Sequence, residues 1–136
     1  MDNSKAVVRR TKKYGKGVFA KETIRKGEVI AVFDAPIMDD DFEPWTEDLF
    51  NHAIQVGPKL WRDSLGIARY VNHSCDPNCG IKGTNRIVAM RKIEKGEQIT
   101  WDYEMTEMNK VWKMKCRCGS ELCRKSIGHH KNMPLN

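Results

Sequence analysis

No run of apolar residues in this 136-residue chain approaches the ~20 needed to cross a bilayer, so no membrane partner is expected. The start, Met1-Asp2-Asn3-Ser4-Lys5, has none of the apolar core of a secretory leader, which sets the expectation of an intracellular, reducing location. Cysteine is scarce and odd in number: five, in uneven clusters, which speaks against a secreted disulfide framework and for metal ligands or free thiols. Nucleotide-binding fingerprints are missing as well. Gly15-Lys16-Gly17 has neither the third glycine nor the following helix of a dinucleotide turn, and there is no P-loop. His73 lacks the partners of a nucleophilic triad in any recognisable order. Nothing marks an interdomain linker, and the length suits one domain.

The charge that is present is segregated. The net charge is +6, and residues 5–26 carry nine basic side chains against the single acid Glu22. Residues 110–131 are similarly basic, whereas residues 34–48 hold seven acids and no base. The acidic run is a solvated loop or a surface that attracts a cationic substrate. The basic ends have no stacking-aromatic motif beside them, so the charge favours direct nucleic-acid binding only weakly and leaves it undecided.

Two segments echo each other. Gly17-Val18-Phe19-Ala20 followed by Ile24-Arg25-Lys26-Gly27-Glu28-Val29-Ile30 is matched by Ile87-Val88-Ala89-Met90 followed by Ile93-Glu94-Lys95-Gly96-Glu97-Gln98-Ile99. Each reads as strand, Lys-Gly turn, strand, and two copies are too few for a solenoid. Between them, residues 40–53 form the best helix candidate, with Pro44 in its first turn, Leu49, Ala53 and Val56 at helical spacing, and Gly57-Pro58 ending it. The result is a mostly β domain with one helical insert, and a tail after Gly128 that is frayed or loosely docked.

Asn72-His73-Ser74-Cys75 follows an apolar approach, residues 67–71, and runs into the turn signal Asp76-Pro77-Asn78. Such a junction meets a ligand or simply pins a loop. Trp101 and Tyr103 are one residue apart, so in a strand both rings point to the same face. They are core, or they line a narrow channel with the Tyr103 hydroxyl at its end. Cys116, Cys118 and Cys123 make an unfinished tetrahedral zinc site, and either Cys75 or Cys79 is available as the fourth thiolate.

Taken in order, these pieces resemble a SET-domain protein lysine methyltransferase with a post-SET zinc segment. Gly15-Lys16-Gly17-Val18 resembles the family's opening Gly-x-Gly-Val, and Arg69-Tyr70-Val71-Asn72-His73-Ser74-Cys75-Asp76-Pro77-Asn78 its Arg-aromatic-x-Asn-His-Ser-Cys-x-Pro-Asn signature. Gly96-Glu97 through Trp101-Asp102-Tyr103 resembles Gly-Glu-Glu-Leu-Thr-Phe-Asp-Tyr, and Cys116-Arg117-Cys118-Gly119 to Cys123-Arg124 the post-SET pattern.

The resemblance implies a mainly β, SET-domain (β-clip-like) fold of small sheets with a C-terminal pseudoknot, a rare exception to the rule against threading. The SET domain would cover residues 6–105 with a helical insert at about 38–60, and the post-SET zinc segment residues 112–128. It implies S-adenosylmethionine held by Tyr14, Gly15, Lys16, Gly17, Tyr70, Asn72 and His73. It implies a substrate channel of Phe33, Trp101 and the catalytic Tyr103, and a structural zinc on Cys75, Cys116, Cys118 and Cys123. The substrate would be the side-chain amine of a lysine in a basic protein or peptide, a histone tail among them. The location would be the nucleus or cytoplasm, or a host cell if the chain is bacterial and exported. Two positions depart from the family: Val32-Phe33-Asp34-Ala35 stands where Glu-Tyr-x-Gly is common, and Trp101 replaces Phe or Tyr. These departures keep a second reading in play, a catalytically inactive, zinc-stabilised module that binds peptide or nucleic acid.

Overall fold

The structure is a computed structural model, and it describes residues 2–13, 15–108 and 113–128. The first half holds strands β1 (Ala6–Arg10), β2 (Lys16–Ala20), β3 (Val29–Val32) and β4 (Met38–Asp39), helix α1 (Glu47–His52), then β5 (Ile54–Gly57) and β6 (Leu60–Arg62). A 3-10 turn over Ile67–Tyr70 leads into β7 (Asn72–His73), β8 (Cys79–Lys82), β9 (Arg86–Ala89) and β10 (Gln98–Trp101). A second 3-10 turn, Tyr103–Met105, precedes β11 (Lys113–Lys115) and β12 (Ser126–Gly128). The strands form four small sheets, ordered β1-β2-β10-β7, β3-β9-β8, β4-β6-β5 and β11-β12.

The two echoing segments pair with each other instead of closing on themselves. Strand β2 pairs with β10, and β3 with β9, all antiparallel. At the crossing, Ile24 and Ile93 exchange both backbone hydrogen bonds, at 2.9 and 2.8 Å. The bonds around them repeat under exchange of the units: Gly96 N–H donates to the Ala20 carbonyl and Gly27 N–H to the Ala89 carbonyl, each at 2.8 Å. Gly27 and Gly96 both sit at φ +91°, where a side chain is strained. In each turn the glutamate that follows takes the backbone N–H three residues back, Glu28 from Arg25 and Glu97 from Glu94. The nine-residue step from β2 to β3 is too long for a tight hairpin, so the buried isoleucines decide the pairing. The core collects on this crossing: Val18, Ile24, Ile30, Ile87, Ile93 and Ile99 are fully enclosed together with Phe33 and Trp101.

The helix is shorter than expected. Asp39 takes the Asp41 N–H on its side chain at 3.0 Å and the Phe42 N–H on its carbonyl, so the residues before Pro44 form a turn. Thr46, not the segment around Pro44, caps the helix, accepting the Leu49 N–H on Oγ1 at 3.1 Å. The helix stops at His52 because Ile54 and Val56, the latter read at helical spacing, run as strand β5 against β6. Residues 38–62 thus make their own three-stranded sheet, topped by the ring stack Phe42, Trp45 and Trp61. Among the described residues no helix is long and apolar enough to cross a membrane. The expectation for the tail beyond Gly128 lies outside them.

If the crossing carries the fold, Ile93→Ala should lower the free energy of unfolding in urea by about 2–5 kcal/mol. Lys26→Ala, on the exposed turn of the other unit, should stay within about 0.5 kcal/mol of the parent.

Candidate active site and metal centre

Strand β7 is two residues long and lies parallel to β10, with Asn72 opposite Thr100 and His73 opposite Trp101. Asn78 secures the loop that follows. Its side chain donates to the Gln98 carbonyl at 2.8 Å and accepts the Thr100 N–H at 3.0 Å, while its carbonyl takes the Met90 N–H. A residue that reads as part of a turn is therefore a buried clamp between the Asn-His segment and β10.

The strand ends at Trp101, so Tyr103 is not in it, contrary to the two-residue alternation read from the sequence. Asp102 instead caps the 3-10 turn by accepting the Glu104 N–H at 3.0 Å. The rings still meet: Phe33 and Trp101 edge-on at 6.2 Å, Trp101 and Tyr103 tilted at 4.9 Å, and Tyr103 and His73 edge-on at 5.3 Å. Trp101 Nε1 is buried with no hydrogen-bond partner among the described residues, so packing alone holds that indole. The Tyr103 hydroxyl donates to the Val71 carbonyl at 2.6 Å, and burial raises its pKa, keeping the phenol protonated.

Beside this aromatic row lies an open cleft of about 390 Å³ lined by Lys16, Asn51, His52, Arg69, Tyr70, Asn72 and Tyr103. The Lys16 ammonium sits over the Tyr70 ring, 5.2 Å from its centre. Asn72 Nδ2 donates to the Lys16 carbonyl and to Gln98 Oε1, both at 3.0 Å. Gly17 permits that approach: a Cβ there would meet Thr11 Cγ2 at 2.7 Å, Gln98 Oε1 at 2.8 Å and Asn72 Nδ2 at 3.0 Å. Of the residues singled out for the cofactor, Lys16, Tyr70 and Asn72 line the cleft, and Gly17 packs behind Asn72. Gly15 holds its turn at φ +71°, and Tyr14 lies outside the described residues. The His73 ring is not among the lining groups. It is buried, with Nδ1 accepting the Tyr103 N–H at 3.1 Å and Nε2 lying 3.4 Å from Cys75 Sγ. Burial pushes its pKa down to about 4, so Asp102, 3.6 Å away, faces a neutral ring and not an ion-pair partner.

The sulfurs of Cys75, Cys116, Cys118 and Cys123 all lie within 4.8 Å of one another. Tetrahedral zinc with Zn–S bonds of about 2.3 Å needs sulfurs about 3.8 Å apart. Cys75 and Cys116 stand at 3.8 Å. The Arg124 N–H points at Cys75 Sγ from 3.3 Å, the kind of donor that steadies a metal-bound thiolate. The donor set therefore fits structural zinc. Cys79, the other option for the fourth position, is sealed in the core on β8, where burial pushes its thiol up to about 12 and opposes the thiolate a metal requires.

Arg124 also reaches inward, where no motif pointed. It donates to Asp102 Oδ2 at 2.6 Å and to Glu104 Oε1 at 2.7 Å, and Glu104 accepts the Gly128 N–H at 2.7 Å. The sequence signal was two acids flanking Tyr103 and one arginine after the last cysteine, meaningful only once the fold joins them. The acidic run proves partly structural: Asp34 accepts the Leu65 N–H, and Asp48 pairs with Arg69 at 2.6 Å. Asp41, Glu43 and Glu47 remain exposed.

Small β sheets around a parallel two-residue strand, with a four-thiolate site beside a tyrosine cleft, define a SET domain, and the SET domain family matches residues 15–104. The chain belongs to that family. ASHH4 of Arabidopsis thaliana is 33% identical over 135 residues, covering 87% of this chain and 38% of that protein. The histone-lysine N-methyltransferase ash1 of Drosophila melanogaster is 32% identical over 130 residues, covering 84% of this chain and 6% of its own. The crystal structure of KRYPTONITE in complex with mCHG DNA and SAH superposes with a TM-score of 0.67 at 26% identity, covering 89% of this chain and 28% of that one. This chain thus spans well under half the length of each relative.

Replacing Cys75 by serine should weaken zinc retention in a chelator competition by more than the ~10–100-fold expected of an outer-shell change. Cys79→Ala should keep one zinc per chain and lower stability alone.

Proposed function

We propose that this SET domain transfers a methyl group from S-adenosylmethionine to the side-chain amine of a lysine in a basic protein, with a histone tail as the substrate class. One observation carries the reading: Lys16, Tyr70 and Asn72 converge with Tyr103 on one open cleft, with the Phe33, Trp101 and Tyr103 rings in a row beside it. The relatives' names as histone-lysine N-methyltransferases support it, as does the SAH in the KRYPTONITE crystals. The exposed acids Asp41, Glu43 and Glu47 offer a cationic peptide an electrostatic approach. A histone substrate would place the protein in the nucleus.

When bound, S-adenosylmethionine supplies an electrophilic methyl group, and the rest of the task falls to the chain. A free lysine with a pKa of about 10.4 is only about 0.1% neutral near pH 7.4, so the amine must be deprotonated and aligned. The Tyr103 ring lines the cleft with the buried Trp101 and Phe33 rings packed in turn behind it, an apolar backing that disfavours the charged amine and keeps water from that side. Tyr103 has already committed its O–H to Val71. Its oxygen can therefore only accept, which suits it to orient an amine N–H and to face a methyl carrying partial positive charge. The thiolate site supplies no Lewis acid to this step in the reading; four thiolates leave a zinc no open position.

Calorimetric titration of zinc-loaded protein with S-adenosylmethionine, followed by mass spectrometry of histones and of cell lysate, tests the reading. Binding and a methylated lysine are expected; zinc-loaded protein that binds no cofactor would sink it. Tyr103→Phe should lower kcat by about 10²–10³-fold. The single-turnover rate should rise about tenfold per pH unit below the pKa of the bound amine, because only the neutral amine reacts. Tyr103 should add no inflection of its own through that range, since burial raises its pKa above the ordinary value.

A further inference from the structure

His73 stands between the thiolate cluster and the residue assigned to the amine. Its Nδ1 accepts the Tyr103 N–H at 3.1 Å, so the single proton of the neutral ring sits on Nε2. That N–H lies 3.4 Å from Cys75 Sγ, and a metal-bound thiolate accepts it far better than a thiol does. The ring is only 3% exposed, so water does not compete for either end. A second line starts at the same sulfur. Arg124 donates its backbone N–H to Cys75, and its guanidinium grips Asp102 and Glu104, the residues on either side of Tyr103. Both lines begin at Cys75 and end at Tyr103 or its immediate neighbours.

We propose that His73 is a positioning residue: a two-ended link through which the filled thiolate site fixes the Tyr103 backbone, with Arg124 as a second strut. The inference rests on the reading of Tyr103 given above, yet the link itself is a matter of structure and is testable without catalysis. It assigns the imidazole of the Asn-His pair to Tyr103 and leaves the cleft to Asn72.

Asparagine and glutamine separate the two ends. The Asn carboxamide reaches where Nδ1 was and keeps an acceptor for Tyr103, whereas the longer Gln reaches where Nε2 was and keeps a donor for Cys75. Amide hydrogen exchange at Tyr103 is measured with and without zinc, with the Ile87 and Val88 amides of β9 reporting that the fold stands. Removing zinc from the parent should speed Tyr103 exchange by about 10-fold or more, the scale of one lost hydrogen bond. In His73→Asn the same treatment should change it by less than about 3-fold, because the direct link from the sulfur to Tyr103 is already gone and only the Arg124 strut to its neighbours is left. In zinc-loaded His73→Gln, exchange should be fast from the start and kcat lower by about 10- to 100-fold, with the peptide KM within about 2-fold. An equal zinc response in parent and His73→Asn, no response in the parent, or a change confined to KM would overturn the proposal. If zinc removal also exposes the β9 amides, cobalt-loaded protein decides instead. His73→Asn should then shift the sulfur-to-cobalt charge-transfer band and His73→Gln leave it near the parent; an unmoved band in both refutes the link. Exchange and band readings stand even for a protein that transfers no methyl group, so failure of the link and failure of the reaction are told apart.

Discussion

The parallel contact of Asn72-His73 with Thr100-Trp101 is the constraint on which the rest of the site depends. Two residues of strand are too little to hold themselves, and the stability comes from Asn78, whose three hydrogen bonds to Gln98, Thr100 and Met90 tie the loop down. With that contact made, Asn72 falls beside Lys16, His73 beneath Tyr103, and Cys75 within reach of a segment more than forty residues further along. A slip of one residue would turn Asn72 into the core and His73 toward solvent.

The polar knot around Tyr103 follows from the same contact. Asp102 and Glu104 are buried carboxylates, which are costly unless paired, and Arg124 pairs with both through short hydrogen bonds. Burial works against the Arg124 charge, but the two carboxylates outweigh it and raise its pKa. A zinc held by four thiolates is itself a dianion, so this corner of the molecule is strongly negative when filled. The exposed bases of the same segment, Lys113, Lys115, Arg117 and Lys125, then have a local counterpart. Lys13 from the β1–β2 turn joins them, its ammonium 3.3 Å from the Arg117 carbonyl. Part of the basic character of both chain ends is thus explained by a site within the chain.

The crossing of Ile24 and Ile93 sets the frame that carries this corner. The echo between the two units was plain in the residues, and so was the need for turns at Gly27 and Gly96. That each unit would pair with the other was not, because strand, turn and strand look the same in sequence whichever partner the strands find. The helix boundaries were misplaced for a related reason. Val56 repeats at helical spacing from Leu49, but β6 offered Ile54 and Val56 a strand partner, and tertiary pairing overrode the local pattern. Asp39 and Thr46 then determined where helical geometry begins.

What the residues determined alone was chemistry that lies within a few positions: a Cys-x-Cys pair with a third thiol five residues on, an Asn-His pair before a turn, and an aromatic pair separated by one residue. Such spacing is set by covalent geometry and survives any fold. The structure decided the long-range choices. It selected Cys75 and buried Cys79, because Cys75 lies in the loop after β7, beside the tail cysteines, and Cys79 lies on β8 with its thiol in the core. It turned the His73 ring from the cleft to Tyr103, and it joined Arg124 to Asp102 and Glu104. Those outcomes depend on distances across the chain, and a linear order of residues carries no distances beyond its own turn or strand.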